Sequence, residues 1–262
     1  MSFESALLWS ERLLAVALAL QSAEMLRIRE AFRPGGVWDW ELLRADFATW
    51  PRAARAFLDA TLAPAGFRVL LILQLLAAIG IFVGAPLFAL VFVTTALVSL
   101  RWRGSFNGGS DAMTLVAILG IGVAHAFRTD PAVGPAALGF VAFQCVLSYF
   151  RAGWAKLCVA EWRDGRALRF FLRLPNYDVP PSLARLVDRP RLARGLSLGL
   201  LCFELLFPLT LFSPSLALTG IALGLAFHAA NFAAFGLNRF FWVWAATYPA
   251  LYYASHWRGV PS

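Results

Sequence analysis

The chain alternates between long apolar tracts and shorter stretches that hold nearly all of its charge. Eight tracts carry the apolar pattern, at residues 6–23, 65–82, 85–100, 110–127, 135–157, 195–212, 215–234 and 238–255. A run of about 20 apolar residues, rising 1.5 Å per residue, spans the roughly 30 Å hydrocarbon core of a bilayer. Backbone groups in lipid must be hydrogen-bonded within their own segment, so each tract is predicted to be a helix. The pattern therefore predicts an all-α polytopic transmembrane bundle with about eight spans.

Two long connections separate the tracts, at residues 24–64 and 158–194. The second connection places Arg163, Arg166, Arg169 and Arg173 three or four residues apart, which predicts one basic stripe along a surface helix. Such a helix usually lies in the plane of the lipid headgroups, and gating of an anionic substrate is the alternative. The sequence has no internal repeat and no low-complexity segment, so residues 1–262 are predicted to form a single integral membrane domain with amphipathic surface helices in its connections.

Composition agrees with a membrane protein. Hydrophobic residues make up 60% of the chain and charged residues 15%, whereas a soluble domain carries roughly 25% charged residues. The net charge of +8 comes from arginines that lie beside apolar tracts. We therefore predict anionic lipid headgroups as the partner of this charge, and we predict no binding of nucleic acid.

The arginines are unequally divided between the two ends of the predicted helices. We call the end with the N-terminus face A and the end reached after tracts one, three, five and seven face B. Face A holds Arg12, Arg128 and Arg258, and face B holds nearly all the others. The positive-inside rule then makes face B cytoplasmic and places both termini outside. The expected location is a bacterial inner membrane.

Polar side chains inside apolar tracts are costly, so each requires a partner or a function. Most of those near the tract ends are predicted to converge toward face B, whereas His125 is predicted near face A. The candidate site residues are Asn107, Asp111, Tyr149, Arg151, Lys156, Glu204, His228 and Asn231. Glu204 could be a proton relay or a structural hydrogen-bonding partner, and His228 could be a base or a histidine bonded to a neighbouring helix.

Lys156 is the only lysine in a chain with 23 basic residues. Arginine stays protonated, while a buried lysine can lose its proton, so proton abstraction and imine chemistry need a lysine. The alternative is a structural lysine that extends to the interface or pairs with a carboxylate. The three histidines show no spacing typical of metal ligands, so no metal site is predicted.

Four segments resemble motifs of a known family. Residues 149–157 read YFRAGWAKL and are followed by a Glu-Trp and an Asp-Gly pair, and residues 106–111 read FNGGSD. Residues 227–231 read FHAAN, with a Phe-Gly pair four residues on, and residues 204–208 read ELLFP. Taken in their order along the chain, these segments resemble motifs of the HTTM (horizontally transferred transmembrane) family. This family includes the membrane domain of vitamin K-dependent gamma-carboxylase. One departure is the serine inserted before Asp111.

The resemblance implies a function for the matched residues. In the carboxylase, the lysine matched by Lys156 is regarded as the base that deprotonates reduced vitamin K. The resemblance thus implies a quinol- or lipid-substrate enzyme with Lys156 as base, His228 as a second catalytic residue and the other candidates lining the pocket. The alternative is a non-catalytic membrane subunit that handles a small peptide or a partner protein, as in peptide-toxin maturation. A transporter is less favoured because no inverted repeat is present.

Overall fold

The computed structural model describes residues 1–102, 109–175, 177 and 179–256. Each of the eight predicted tracts is a helix, and no strand occurs among the described residues. The long helices are α1 (Phe3–Arg27), α2 (Pro64–Phe82), α3 (Phe88–Arg101), α4 (Gly109–Ala126), α5 (Val133–Leu157), α6 (Pro190–Leu206), α7 (Pro214–Phe235) and α8 (Asn238–Ala254). The predicted all-α membrane bundle is therefore confirmed.

Prolines and a capping serine mark where helices begin, and a glycine marks where one ends. Proline lies at the first position of α2, α6 and α7, where its missing N–H costs nothing. The Ser213 side chain accepts a hydrogen bond from the Leu216 N–H and caps α7. Gly236 ends the same helix with φ 69°, a left-handed conformation that glycine adopts without steric cost. These local signals separate α6, α7 and α8 within a nearly continuous apolar sequence.

Five of the described helical stretches are long and apolar enough to cross a membrane, at 64–82, 109–126, 133–157, 190–211 and 214–235. The last turn of the fourth is the 3-10 helix Phe207–Leu211, which extends α6. Helix α3 is a shorter apolar helix of 14 residues, and α8 has 17 residues with Pro249 inside it. Helix α1 has 25 residues, but Glu11 and Arg12 interrupt its apolar run. The count of eight crossings stays a prediction.

The contacts between helix ends place face A and face B at opposite ends of the bundle. His125 Nδ1, at the end of α4, lies 2.7 Å from Glu11 Oε1 in the first half of α1. At the other end, Asp111 at the start of α4 pairs with Arg239 at the start of α8. Helix α5 packs against α4, α6 and α8, and α1 packs against α2 and α8. The predicted position of His125 near face A is thereby confirmed.

Both connections contain the predicted short helices. The first holds Arg29–Phe32, Trp40–Leu43, Arg44–Phe47 and Arg52–Leu62, and the second holds Ala160–Arg163, Arg166–Phe171 and Pro181–Leu186. The prediction of one continuous basic stripe in the second connection is wrong. Gly165 adopts φ 83° and separates Arg163 from the helix that carries Arg166 and Arg169, while Arg173 follows the end of that helix. A left-handed glycine breaks the helical period and redirects the chain.

Candidate functional site

One face of α5 carries the central residues of the site. Tyr149, Gly153 and Lys156 are spaced four and three residues apart, so they lie on the same side of the helix. Gly153 brings α5 close to α6, because a Cβ added there would lie 2.8 Å from the Glu204 Cβ and 3.0 Å from the Leu205 backbone nitrogen. The glycine therefore allows the backbones to approach closely enough to place Glu204 beside this face.

Lys156 and Glu204 form an ion pair between α5 and α6. Lys156 Nζ donates to Glu204 Oε1 at 2.5 Å and to Oε2 at 2.7 Å. The Glu204 side chain is 2% exposed and that of Lys156 is 21% exposed. The ammonium also lies 5.5 Å from the centre of the Trp162 ring, a distance typical of a cation–π contact. The sole lysine is thus bound by a carboxylate within the bundle.

A second polar cluster lies two turns away along α5. The Tyr149 hydroxyl shares hydrogen bonds of 2.7 Å with His228 Nε2 of α7 and with the Tyr248 hydroxyl of α8. All three side chains are buried, and Phe207 stacks on the Tyr149 ring at 3.9 Å. His228 Nδ1 is buried and has no hydrogen-bond partner among the described residues. The cluster is a chain of exchangeable protons that joins three helices.

A glycine also makes room for this cluster. A Cβ added at Gly224 of α7 would lie 2.4 Å from the Tyr248 hydroxyl oxygen and 3.0 Å from that of Tyr149. Real Cβ atoms do not approach oxygen so closely, so a side chain here would displace both tyrosines. Gly153 therefore allows α5 to approach α6 between Tyr149 and Lys156, and Gly224 makes room for the hydroxyls of Tyr149 and Tyr248.

The other predicted site residues do not all lie beside Lys156 or Tyr149. Asp111 pairs with Arg239, and its Oδ2 is buried without a partner among the described residues. Asn231 is partly exposed, one helical turn from His228. Arg151 is exposed and lines an outward groove of α5 with Phe150, so the structure does not bring it together with Lys156 and Glu204. Residue Asn107 lies outside the described residues.

Sequence reasoning missed Tyr248 and the two glycines. Tyr248 carries a hydroxyl in the middle of tract eight, and a buried tyrosine hydroxyl usually has a hydrogen-bond partner. That rule could have identified Tyr248 as a site residue. The positions of Gly153 and Gly224 at helix crossings could not be predicted, because which helices cross there depends on the tertiary structure.

Substitution of Gly153 by alanine is expected to separate α5 from α6. Overpacking of a close contact typically costs about 1–3 kcal/mol, and here the obstructing atoms include backbone. The free energy of unfolding, measured by denaturant titration in detergent, should fall by this amount. Gly199→Ala on α6 is the matched control, since no atom lies within 4 Å of an added Cβ there. Equal stability of the two variants would contradict the close-approach role of Gly153.

The described residues contain no group of three or more His, Cys, Asp or Glu side chains that could hold a metal ion. His125 is instead engaged with Glu11. The chemistry available at the site is therefore that of an amine, a carboxylate, an imidazole and two phenols.

Comparison with known protein families matches residues 124–257 to the HTTM domain. The matched region runs from the end of α4 beyond α8 and includes Lys156, Glu204, Tyr149, His228 and Tyr248. No curated protein and no solved structure matches the chain. The match covers more than half of the 262 residues and confirms the family assignment, and three of the four motifs lie within it, all except residues 106–111. The chain therefore belongs to the HTTM domain family of integral membrane proteins.

Proposed function

We propose that this chain is a membrane enzyme in which Lys156 removes a proton from a hydroxyl group of a quinol or a similar lipid-like substrate. The observation that carries the proposal is the pair of the sole lysine with the buried carboxylate of Glu204. A purely structural ion pair could use arginine. Of the 23 basic residues, the other 22 are arginine. Arginine cannot lose its proton in a protein, whereas lysine can.

The pair provides a route to a neutral amine. Lys156 Nζ lies 2.5 Å from Glu204 Oε1, so transfer of one proton along this hydrogen bond to the carboxylate would leave a neutral amine. The neutral amine can accept the proton of a substrate hydroxyl. The products are a substrate oxyanion and the Lys156 ammonium, which stabilises that oxyanion by direct charge attraction.

The Tyr149 cluster gives the same face of α5 a second polar group. Tyr149 and Lys156 are seven residues apart, about 10 Å along a helix at 1.5 Å per residue. A quinol carries hydroxyls on opposite sides of its ring, and we assign His228 and Tyr149 to the second oxygen. The aromatic rings of Phe207 and Trp244 beside them supply the apolar surface that such a ring needs. His228 thus remains the second proposed catalytic residue.

Family membership supports the choice of substrate class. The HTTM family includes the membrane domain of vitamin K-dependent gamma-carboxylase, in which the lysine matched by Lys156 is regarded as the base toward reduced vitamin K. The matched lysine and the acidic residue of the late helix are in contact in this chain. Carboxylation of a peptide is not part of the proposal.

Lys156→Arg is expected to abolish turnover of a reduced naphthoquinol by the purified protein in lipid nanodiscs under oxygen. Arginine keeps the positive charge beside Glu204 but offers no usable base, so loss of the quinol should fall to the rate of spontaneous oxidation in protein-free nanodiscs while unfolding stays close to wild type. Loss of the quinol is measured by chromatography. Arg191→Lys, a similar exchange at an exposed position, should leave turnover unchanged.

Wild-type turnover by Lys156→Arg would refute the base role. Absence of turnover in every form, together with a peptide or membrane protein that co-purifies equally with both variants, would instead establish the non-catalytic subunit. The two functions therefore give opposite results in the same pair of proteins.

A further inference from the structure

A basic groove lies on the second connection, outside the site on α5. It encloses about 350 Å³ and is lined by Arg166, Arg169, Phe170, Arg173, Leu174 and Pro175. The lining therefore carries three guanidinium groups, and none of its described residues has a carboxylate. Phe170 is 61% exposed at the same groove. Positive and large apolar side chains meet here on one surface.

The three arginines differ in how far they are neutralised. Arg166 has two carboxylate partners, since its Nε donates to Asp164 Oδ2 at 2.8 Å and its Nη2 donates to Glu161 Oε1 at 3.4 Å. The Arg166 backbone N–H and guanidinium lower the pKa of the Asp164 carboxyl below its usual value. Arg173 pairs with Asp188. Arg169 has no ion pair in the described part of the chain, and its Nε is buried and without a hydrogen-bond partner there. Among the described residues, Arg169 is thus the one groove arginine whose charge no carboxylate neutralises.

Since the phosphate of a lipid presents several acceptor oxygens, it can bind a free guanidinium and the unused N–H groups of two others at once. We propose that this groove binds the phosphate of an anionic phospholipid, with Arg169 as the principal ligand and Phe170 against the acyl chains. Arg166 and Arg173 each keep N–H groups beyond those that their carboxylates use. The pairs with Asp164 and Asp188 hold them at the edges of the groove.

The position of the groove in the fold agrees with a lipid ligand. It follows α5 at face B, where the chain leaves the apolar bundle. Phe171, next to Phe170, stacks on Trp162 at 5.7 Å between ring centres, so the groove borders an aromatic surface typical of the membrane interface. A soluble anion has no apolar part, so contact with Phe170 and the neighbouring aromatic rings would not strengthen its binding. Charge and apolar area together favour a lipid.

The proposal is tested by titrating the delipidated protein in detergent with a short-chain phosphatidylglycerol and with the matching phosphatidylcholine, and counting bound lipids by native mass spectrometry. Wild type should bind phosphatidylglycerol more tightly than phosphatidylcholine. Arg169→Gln should weaken phosphatidylglycerol about fivefold, the contribution of one arginine near an anionic surface. Arg169 pairs with no described carboxylate, so its removal leaves none unpaired.

Arg191→Gln is the matched control, because Arg191 is exposed on the same connection and does not line the groove. It should leave the affinity unchanged. Phe170→Ala should weaken binding of the same lipid without affecting stability, since the side chain is exposed. Equal loss in Arg169→Gln and Arg191→Gln, or equal affinity for the two lipids, would overturn the site and leave only diffuse charge attraction.

Discussion

Neutralising Lys156 or Glu204 alone is expected to lower the free energy of unfolding by about 3–5 kcal/mol, as is typical when one partner of a buried ion pair is removed. In Lys156→Met, the carboxylate of Glu204 stays in a position where it is 2% exposed and loses both of its hydrogen bonds to Nζ. In Glu204→Leu, the ammonium of Lys156 loses its carboxylate and keeps its contact with the Trp162 ring. Each single variant therefore leaves a charge without its counterion.

The double variant Lys156→Met with Glu204→Leu is expected to recover most of that loss. Two apolar side chains of similar size replace a pair whose desolvation offsets much of its attraction, so stability should approach the wild-type value. The measurement is denaturant unfolding of all four proteins in detergent, analysed as a double-mutant cycle. A double variant as unstable as the sum of the two single variants would mean that the residues do not form a coupled pair.

The same four proteins separate the structural role of the pair from its chemistry. A stable double variant without quinol turnover would show that stability alone is not what the lysine is for. The stability of the double variant thus serves as a control for the activity experiment. In that experiment, Lys156→Arg keeps the charge and tests only the loss of a base.

The eight helices could be predicted because the physical demand on each is local. Every backbone group inside a bilayer must be bonded within its own segment, so an uncharged tract such as 65–82 has few alternatives to a helix. Turn residues such as Gly236 also act locally, and they mark boundaries that the sequence shows directly. The prediction of the helices therefore needed no knowledge of their neighbours.

Contacts between distant residues could not be predicted in the same way. Glu204 was recognised as a costly buried charge, but its partner Lys156 lies 48 residues away, and Lys156 could equally have extended to the interface. Glu11 and His125 are a similar case, since their pairing across α1 and α4 is what allows a carboxylate inside an apolar tract. The local sequence pattern identifies which polar groups need partners, and the tertiary packing determines which residues become those partners.

The wrong prediction of an arginine stripe has a clear physical cause. The four arginines follow helical spacing, but Gly165 adopts a left-handed conformation that no count of spacing reveals. Arg151 and Lys156 both end tract five, yet residues five apart on a helix lie on different faces. Charge pattern alone therefore overestimates how many polar residues share one site.

Replacement of Arg101 is expected to release the first connection from the bundle. Arg101 ends α3 and is fully buried, with its guanidinium donating to the backbone carbonyls of Phe32 at 2.7 Å and of Leu62. Its central carbon also lies 5.2 Å from the centre of the Phe67 ring. One side chain thus ties the start of the connection, its end and the transmembrane helices together.

Arg101→Leu should therefore cost about 3 kcal/mol of local stability, since two buried carbonyls lose their donor at roughly 1–3 kcal/mol each. Arg101→Lys should recover only part of it, because an ammonium lacks the planar fork that reaches both carbonyls. Hydrogen–deuterium exchange of residues 29–62 measures the effect, with faster exchange expected there and unchanged exchange in α5 and α6. Arg29→Leu, at an exposed position of the same connection, is the control and should leave exchange unchanged. If exchange in residues 29–62 stays at the wild-type rate in Arg101→Leu, then the apolar cluster around Trp40 and Phe47 holds the connection by itself, and the buried arginine contributes little to its anchoring.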